Sequence, residues 1–389
     1  MAPWIALFAL PLTAAMPAPT IAPDLLAAAA DVQWVSFERT AGNQIRFPIT
    51  IDGRPATALL DTGFSQSAIS RTWAKNAHLR IDDGERGLGV GGSVAIGQVA
   101  GQTLTIGGLT KSGGRLAVID LPAAATGGDG AVDAVIGADI VRHYALDIDF
   151  ANRRFRLLPS GQLPFAGATA PLEMRGPLYA SELRLGAMRV RPVIIDTGDG
   201  SALALSAEAW RALGPARPAT TTTIAYSVAG PVQSELAVMP GVTIGDADVG
   251  EAAASLEGER GFLAQIGASG RIGIGVLQRF RVLLDPGAGR MVLAPAATGD
   301  AAPALRSTSG LLVGVASDRL RVLHVMRGGP AAAGGWRTGE EICRIDGTAI
   351  TSRYLTDPIA RWAIGTPGRV VQLGLCNGPT RALTLARFY

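Results

Sequence analysis

Two Asp-Thr-Gly tripeptides have residue types and a spacing that could do chemistry. Asp61-Thr62-Gly63 and Asp196-Thr197-Gly198 each follow a short apolar run, and they lie 135 residues apart. Two carboxyl groups held about 3 Å apart cannot both ionise cheaply, so they share one proton. Such a pair can act as general acid and general base together. The fold would have to bring the two tripeptides to one place.

A longer repeat indicates how the chain could do so. Residues 135–158 align without a gap with residues 271–294, at a shift of 136 residues, and Ile136-Gly137 then matches Ile272-Gly273. Each copy has the pattern of an apolar strand, a glycine turn, a short helix and a hairpin. The middle of the chain is therefore predicted to be a duplicated unit rich in β strands.

Two D-T-G loops, each paired with an apolar-apolar-glycine segment, resemble the pepsin/retropepsin-like aspartic proteases, and bacterial retropepsin-like proteins with two repeats in one chain most of all. The resemblance covers about residues 34–295. It implies a mainly β, bilobal retropepsin-like acid protease fold with pseudo-twofold symmetry. It also implies that Asp61 and Asp196 are a catalytic dyad that hydrolyses peptide bonds through a water molecule. This chemistry requires no metal or other cofactor, and the sequence does not tell which aspartate carries the proton.

The same resemblance assigns supporting roles around the dyad. Threonines tie the two loops together, glycines allow close turns whose amides orient the carboxylates, and Ile-Gly segments support the loops from beneath. These residues are Thr62 and Thr197, Gly63 and Gly198, and Ile136, Gly137, Ile272 and Gly273.

A glycine-rich segment at residues 88–93 resembles the flap hairpin that covers substrate in retropepsins. Residues 87–92 also satisfy the dinucleotide-binding pattern G-x-G-x-x-G, but a strand-like alternation follows where that site needs a helix. In the second half, Tyr226 stands at the equivalent place, either over the cleft or partly buried in a hairpin. The predicted substrate-binding residues are Gly89, Val90, Gly91, Gly92 and Tyr226.

The residues directly after the tripeptides depart from the family pattern. Many members have Ser, Thr or Ala there, whereas this chain has Phe64 and Asp199. If Asp199 points toward the dyad, a third carboxylate raises the pKa of the proton-loss steps or disables the site. Its position favours solvent or a turn role instead. The alternative to an active enzyme is a catalytically inactive peptide-binding or scaffold protein.

The C-terminal residues 305–389 resemble a PDZ domain, through the segments VLHVMRGGPA and WRTGEEICRIDG. Such domains add an extended peptide to a sheet edge and hold its terminal carboxylate with backbone amides. The resemblance implies recruitment of substrate or of a partner through its C-terminal peptide, and the alternative is a module that only packs on the lobes. The predicted peptide-binding residues are Leu311, Leu312, Val313 and Gly314.

Composition and charge argue against several other functions. The net charge is only +3 and the arginines are dispersed, so no basic face for nucleic acid is indicated. His78, His143 and His324 lack the spacing of a metal site. Peptides and proteins therefore remain the expected partners.

The N-terminal segment and the two cysteines bear on the compartment. An apolar run within residues 1–30 reads as a signal peptide, and no later segment is apolar for long enough to predict a stable membrane span. We therefore expect an exported protein, periplasmic or secreted. Cys343 and Cys376 follow strand-like runs, and they are either joined in a disulfide or left as buried thiols.

The predicted domain organisation has five parts. They are a signal peptide (1–30), a first retropepsin-like lobe (31–162), a second lobe (163–296), a linker (297–304) and a small PDZ-like α+β domain (305–389).

Overall fold

Alternation of apolar and polar residues builds about half of the described residues into β strands. In Ile45–Ile51, for example, every second side chain is buried, which is the pattern of a strand with one face on the core. The computed structural model describes residues 33–126, 132–296 and 306–389. The predicted signal peptide and the predicted linker lie outside the described residues.

The first lobe forms a ten-stranded sheet in the order β6-β7-β10-β5-β11-β4-β3-β8-β9, with β2 beside β3. Its elements are β1 (Val35–Ser36), β2 (Glu38–Arg39), β3 (Ile45–Ile51), β4 (Arg54–Leu60), β5 (Ala68–Ser70), α1 (Arg71–Asn76), β6 (Asp82–Gly89), β7 (Gly92–Ala100), β8 (Thr103–Ile106), β9 (Leu109–Ser112), β10 (Arg115–Ile119), β11 (Ala134–Ile136), α2 (Ala138–Val141), β12 (Ala145–Asp149) and β13 (Arg154–Leu158).

The second lobe repeats this plan in an eight-stranded sheet ordered β15-β16-β17-β22-β18-β21-β20-β19. Its elements are β14 (Ala168–Pro171), β15 (Glu173–Arg175), β16 (Leu178–Leu185), β17 (Met188–Ile195), β18 (Leu203–Leu205), α3 (Ala207–Ala212), β19 (Thr220–Ser227), β20 (Gly230–Ile244), β21 (Ala247–Leu256), α4 (Phe262–Gln265), β22 (Gly270–Ile272), α5 (Ile274–Leu277), β23 (Phe280–Asp285) and β24 (Arg290–Pro295).

Equivalent strand pairs set the duplicated frame. The strand before the first tripeptide, β4, pairs in parallel with β11, and β17 pairs in parallel with β22. Each lobe also starts a short helix with a serine cap: Ser70 accepts from the amide of Trp73, and Ser206 accepts from the amide of Ala209. The mainly β, bilobal retropepsin-like fold predicted from the sequence is confirmed.

A third sheet, ordered β1-β13-β12-β23-β24-β14, joins the two lobes. At its centre β12 of the first half pairs with β23 of the second half, with Leu146 opposite Leu284. Asp147 is buried there and accepts hydrogen bonds from Arg156 and Arg281, one from each half. Because both arginines pair with it, this buried carboxylate is compensated and links the halves.

The C-terminal unit has its own sheet, ordered β25-β26-β27-β29-β30, and its own core around Trp362. Cys343 on β27 and Cys376 just after β29 form a disulfide, because these two strands are neighbours. The elements are β25 (Leu311–Ala316), β26 (Arg319–Val325), α6 (Pro330–Ala333), β27 (Glu341–Ile345), β28 (Thr348–Ala349), β29 (Val370–Leu375) and β30 (Thr380–Thr384), with 3₁₀ turns at Tyr354–Thr356 and Pro358–Ile364.

The C-terminal unit is anchored on the β19–β20 hairpin of the second lobe. Thr221 Oγ1 donates to the carbonyl of Arg327 at 2.8 Å, and Arg327 Nη1 donates to Glu235 at 2.6 Å. His324 shares a 2.8 Å hydrogen bond with Thr222. None of the helices in the described ranges has the length and apolarity needed to cross a bilayer.

Candidate active site

The ends of two buried strands position the tripeptides. β4 ends at Leu60 and β17 ends at Ile195, directly before Asp61 and Asp196. The amide of Asp61 donates to Ile136 O at 3.0 Å, and the amide of Asp196 donates to Ile272 O at 2.9 Å. The paired strands β11 and β22, which end at the isoleucines of the two Ile-Gly segments, therefore fix where each tripeptide loop begins.

The two threonines interlock the loops. Thr62 N donates to Thr197 Oγ1 at 3.0 Å, and Thr197 N donates to Thr62 Oγ1 at 3.1 Å. Each hydroxyl then donates across the junction, Thr62 to Ile195 O at 2.7 Å and Thr197 to Leu60 O at 2.9 Å. Both side chains are completely buried. The four hydrogen bonds form a symmetric cross-link between the two loops.

Gly63 and Gly198 have no space for a side chain. A Cβ atom at Gly63 would collide with the carboxyl group of Asp196, and one at Gly198 would collide with the carboxyl group of Asp61. Each glycine amide donates at 2.9 Å to the aspartate of its own loop. Every carboxyl group therefore packs against the opposite loop while its own loop orients it.

Burial and mutual repulsion set the protonation of the pair. The carboxyl groups of Asp61 and Asp196 face the same junction, since each packs against the glycine of the opposite loop. Burial, followed by the charge of Asp196, raises the pKa of Asp61 well above its usual range. Burial also raises the pKa of Asp196, but Arg271 opposes that shift. The pair therefore retains one proton at a pH where a free aspartate has lost it.

Asp199 faces a buried arginine rather than solvent, so the solvent-facing orientation that the sequence favoured is wrong. Asp199 Oδ2 accepts from Arg271 Nε at 2.7 Å, and its side chain is only 16% exposed. The turn role is present, since Asp199 Oδ1 accepts from the amide of Ser201 at 2.8 Å. Burial opposes ionisation of Asp199, but Arg271 and Ser201 outweigh it, and its pKa lies below the usual range.

Arg271 lies in the centre of an acidic cluster. Its Nε is 3.5 Å from Asp196 Oδ2, and its Nη1 is 3.6 Å from Glu257 Oε1. The side chain is 7% exposed, and burial works against its charge. Asp199, Asp196 and Glu257 overcome this effect and raise the pKa of Arg271, so the guanidinium remains charged.

A cleft of about 370 Å³ contains both catalytic candidates and is covered by two hairpins. In the first, β6 and β7 are joined by Val90-Gly91, and in the second, β19 and β20 are joined by Val228-Ala229. The hairpin tips touch, because Ser227 Oγ donates to Val90 O at 2.6 Å. The cleft lining includes apolar side chains from both lobes, among them Leu88, Val135, Val232 and Phe262.

The predicted flap residues lie at this cover. Gly89, Val90 and Tyr226 line the cleft, and Tyr226 is exposed rather than buried in its hairpin. Gly91 packs under the second hairpin, where an added Cβ atom would meet Val232. Gly92 has a φ of 149°, which favours glycine at the end of the tight turn.

The remaining predicted site residues lie on the C-terminal unit. They are not among the residues that line the cleft, and they all belong to β25, a strand at the edge of its sheet: Leu311, Leu312, Val313 and Gly314.

Sequence reasoning missed the charged cluster behind Asp196 and one clamp on the second loop. Gln44 Nε2 donates to Gly198 O at 2.9 Å and to Ala125 O at 3.1 Å, and no pattern in the sequence indicated this. Arg271 did leave a signal, because the aligned repeat has Val135 in its place. Glu257 gave none, since its proximity depends on the order of strands in the sheet.

Metal ligands are not gathered at any place in the described ranges. No group of three or more His, Cys, Asp or Glu side chains there is arranged to hold an ion.

The first lobe matches a known family. Residues 47–140 fit the family model described as aspartyl protease. This part of the chain is aspartyl protease-like. Among solved structures, the chain is similar to "EIAV protease complexed with the inhibitor HBY-793", with 24% identity, 25% of this chain and 85% of that chain covered, and a TM-score of 0.21. The comparison with curated proteins gave no match.

Proposed function

We propose that the protein is an aspartic endopeptidase that hydrolyses peptide bonds between Asp61 and Asp196. The observation that carries the proposal is the geometry of the tripeptide loops. They bring two carboxyl groups, each packed against the opposite loop, to the wall of a covered cleft, and the pKa of Asp61 lies well above the usual range. A pair that keeps one proton contains both an acid and a base.

The chemical step uses these two groups and one water molecule. The ionised carboxylate takes a proton from the water, whose oxygen forms a bond to the peptide carbonyl carbon. The protonated carboxyl group gives its proton to the carbonyl oxygen, which yields a neutral tetrahedral diol. When the diol collapses, the C–N bond breaks, the protonated carboxyl group gives its proton to the leaving nitrogen, and one diol hydroxyl gives its proton to the other carboxylate, so the dyad again holds one proton.

The walls and the cover of the cleft suit an extended peptide. Apolar side chains from both lobes line it, and the two hairpins supply strand edges next to the bound chain. Because the hairpin tips are hydrogen-bonded through Ser227 and Val90, they must separate when substrate enters. Phe64 and Asp199 both line the cleft, but Asp199 is held back by Arg271, which favours an active site over a relict one.

We further propose that the C-terminal unit is PDZ-like and recruits a peptide or protein. In support, β25 is an edge strand that pairs on one side with β26. The amides that would hold a terminal carboxylate already donate within the chain, Ser309 N to Ala363 O and Gly310 N to Ser307 Oγ. A C-terminal ligand would have to displace these contacts, so an internal extended segment fits this edge with less rearrangement.

Export from the cytoplasm is part of the proposal. The disulfide between Cys343 and Cys376 supports it, because disulfides persist in oxidising compartments.

The test is hydrolysis of a peptide library by the purified protein across pH, with and without a pepstatin-like inhibitor. We expect a mildly acidic optimum and a loss of at least about 10³-fold in kcat/KM for Asp61→Asn and Asp196→Asn. The matched control is Asp248→Asn, which changes an exposed aspartate of the second lobe. Turnover retained by either dyad variant would refute the proposed function.

A further inference from the structure

The two lobes differ in charge at three positions behind their catalytic aspartates. Strand pairing shows the equivalence: β11 places Val135 opposite Ala68, and β22 places Arg271 opposite Ala204. The same register makes Ile119 equivalent to Glu257. Phe64 and Asp199 are equivalent because each directly follows its tripeptide. The first lobe has Phe64, Ile119 and Val135, and the second lobe has Asp199, Glu257 and Arg271.

The surroundings of the two carboxyl groups are therefore unequal. Asp196 Oδ1 accepts from two amides, those of Gly198 at 2.9 Å and Asp199 at 3.0 Å, and Arg271 lies 3.5 Å from Oδ2. Asp61 Oδ1 accepts from the Gly63 amide, and the residue equivalent to Arg271 on its side is an uncharged valine. Amide donors and a cation stabilise an ionised carboxylate, so the donors favour ionisation of Asp196.

We propose that Arg271 breaks the symmetry of the dyad, holding Asp196 as the carboxylate and leaving the shared proton on Asp61. This inference rests on the proposed function and assigns its roles: Asp196 takes the proton from water, and Asp61 donates to the carbonyl oxygen. Arg271 acts through Asp196 and is a positioning residue. Its partner Asp199 limits the effect, because one negative charge offsets part of the guanidinium charge.

The charges that face Asp196 come from four elements. Asp61 approaches from the loop after β4, Asp199 from the loop after β17, Arg271 from β22, and Glu257 from the end of β21 through Arg271. Burial raises the pKa of Asp196, Arg271 is the largest opposing influence, and Asp199 raises the pKa again. Burial and Asp196 both raise the pKa of Asp61, which agrees with a proton on Asp61.

The experiment compares the pH profiles of kcat/KM for Arg271→Met and Asp199→Asn. Arg271→Met removes a positive charge and should move both the acidic and the basic limb of the profile to higher pH. Asp199→Asn removes a negative charge and should move both limbs to lower pH. We expect each shift to be about one pH unit or more, which corresponds to tenfold in the ionisation constant. The double variant Asp199→Asn/Arg271→Met should give limbs between those of the single variants.

Arg211→Met is the matched control, because it removes the same charge from an exposed arginine of the second lobe that is not among the residues lining the cleft. Its limbs should stay at the wild-type pH. Shifts of Arg271→Met and Asp199→Asn in the same direction, or no larger than that of the control, overturn the proposal. If Arg271→Met does not fold, Asp199→Asn and the double variant carry the test.

A second readout separates this proposal from the proposed function. ¹³C NMR of aspartate-labelled protein follows both carboxyl groups, and Asp61→Asn and Asp196→Asn assign them. Asp196 should ionise at lower pH than Asp61, and Arg271→Met should reduce that difference. A wild-type protein that cleaves no peptide defeats the proposed function, whereas Asp61 ionising first defeats the assignment made here.

Discussion

The two lobes share a frame but differ in what lies behind the aspartates of their tripeptide loops. Behind Asp61, Phe64 packs against a cluster of buried apolar side chains that includes Ile119. Behind Asp196, the corresponding space contains an arginine and two carboxylates. The hydrogen bonds of the tripeptide loops are nevertheless the same in both lobes to within a few tenths of an ångström. The two halves therefore share the backbone that positions the aspartates and differ in the charges around them.

The largest expected effect tests the shared frame. Gly63→Ala and Gly198→Ala should each lower kcat/KM by at least about 100-fold, because the added methyl group displaces the opposite carboxyl group, and misplacement by about 1 Å costs this much. Steady-state hydrolysis of a peptide substrate measures the loss. Gly258→Ala is the control, since an added Cβ atom there meets nothing within 4 Å. If one of the two alanine variants kept the wild-type kcat/KM, the two glycine positions would not be equivalent.

A smaller effect tests the threonine cross-link. Thr62→Val and Thr197→Val should each lower the free energy of unfolding by about 2–3 kcal/mol, because each removes two buried hydrogen bonds and leaves their partners unpaired. Urea denaturation provides the measurement. The conservative changes Thr62→Ser and Thr197→Ser keep the hydroxyl group and should recover most of the loss. Unequal losses of unfolding free energy in the two valine variants would show that the two threonines do not stabilise the junction equally.

The smallest effect should sharpen the difference between the lobes. The pKa of Asp61 is raised in the folded state, so wild-type stability falls as pH rises from the usual aspartate pKa through the folded pKa. Asp61→Asn removes this loss and should raise the free energy of unfolding near pH 7 by about 1 kcal/mol or more. At a pH of about 3 the Asp61 carboxyl group is largely neutral in both the folded and the unfolded protein, so the gain in the free energy of unfolding should vanish.

Asp196→Asn should give a smaller gain under the same conditions, because Arg271 already favours the ionised form of Asp196. Thermal denaturation of both variants across pH measures the two gains. Equal gains would count against a dyad whose members differ.

The sequence was enough to predict the parts of the site that are repeated. Both tripeptides and both Ile-Gly segments could be located because each occurs once in either half of the duplicated sequence. The strand patterns around them indicated the fold. Asp199 could not be oriented, because its partner Arg271 lies 72 residues away and meets it only when β17 and β22 pair. The pairing of Cys343 with Cys376 stayed open for the same reason, since sequence alone does not tell that β27 and β29 are neighbours.

The sheet that joins the lobes has a consequence for how this chain can be divided. At its centre, β12 of the first half hydrogen-bonds to β23 of the second half. A cut between Leu158 and Ala168 would leave each fragment with an exposed, unpaired apolar strand edge. Such an edge readily pairs with another chain. The fragments should consequently recombine when produced together and aggregate when produced apart, so neither lobe is an autonomous building block.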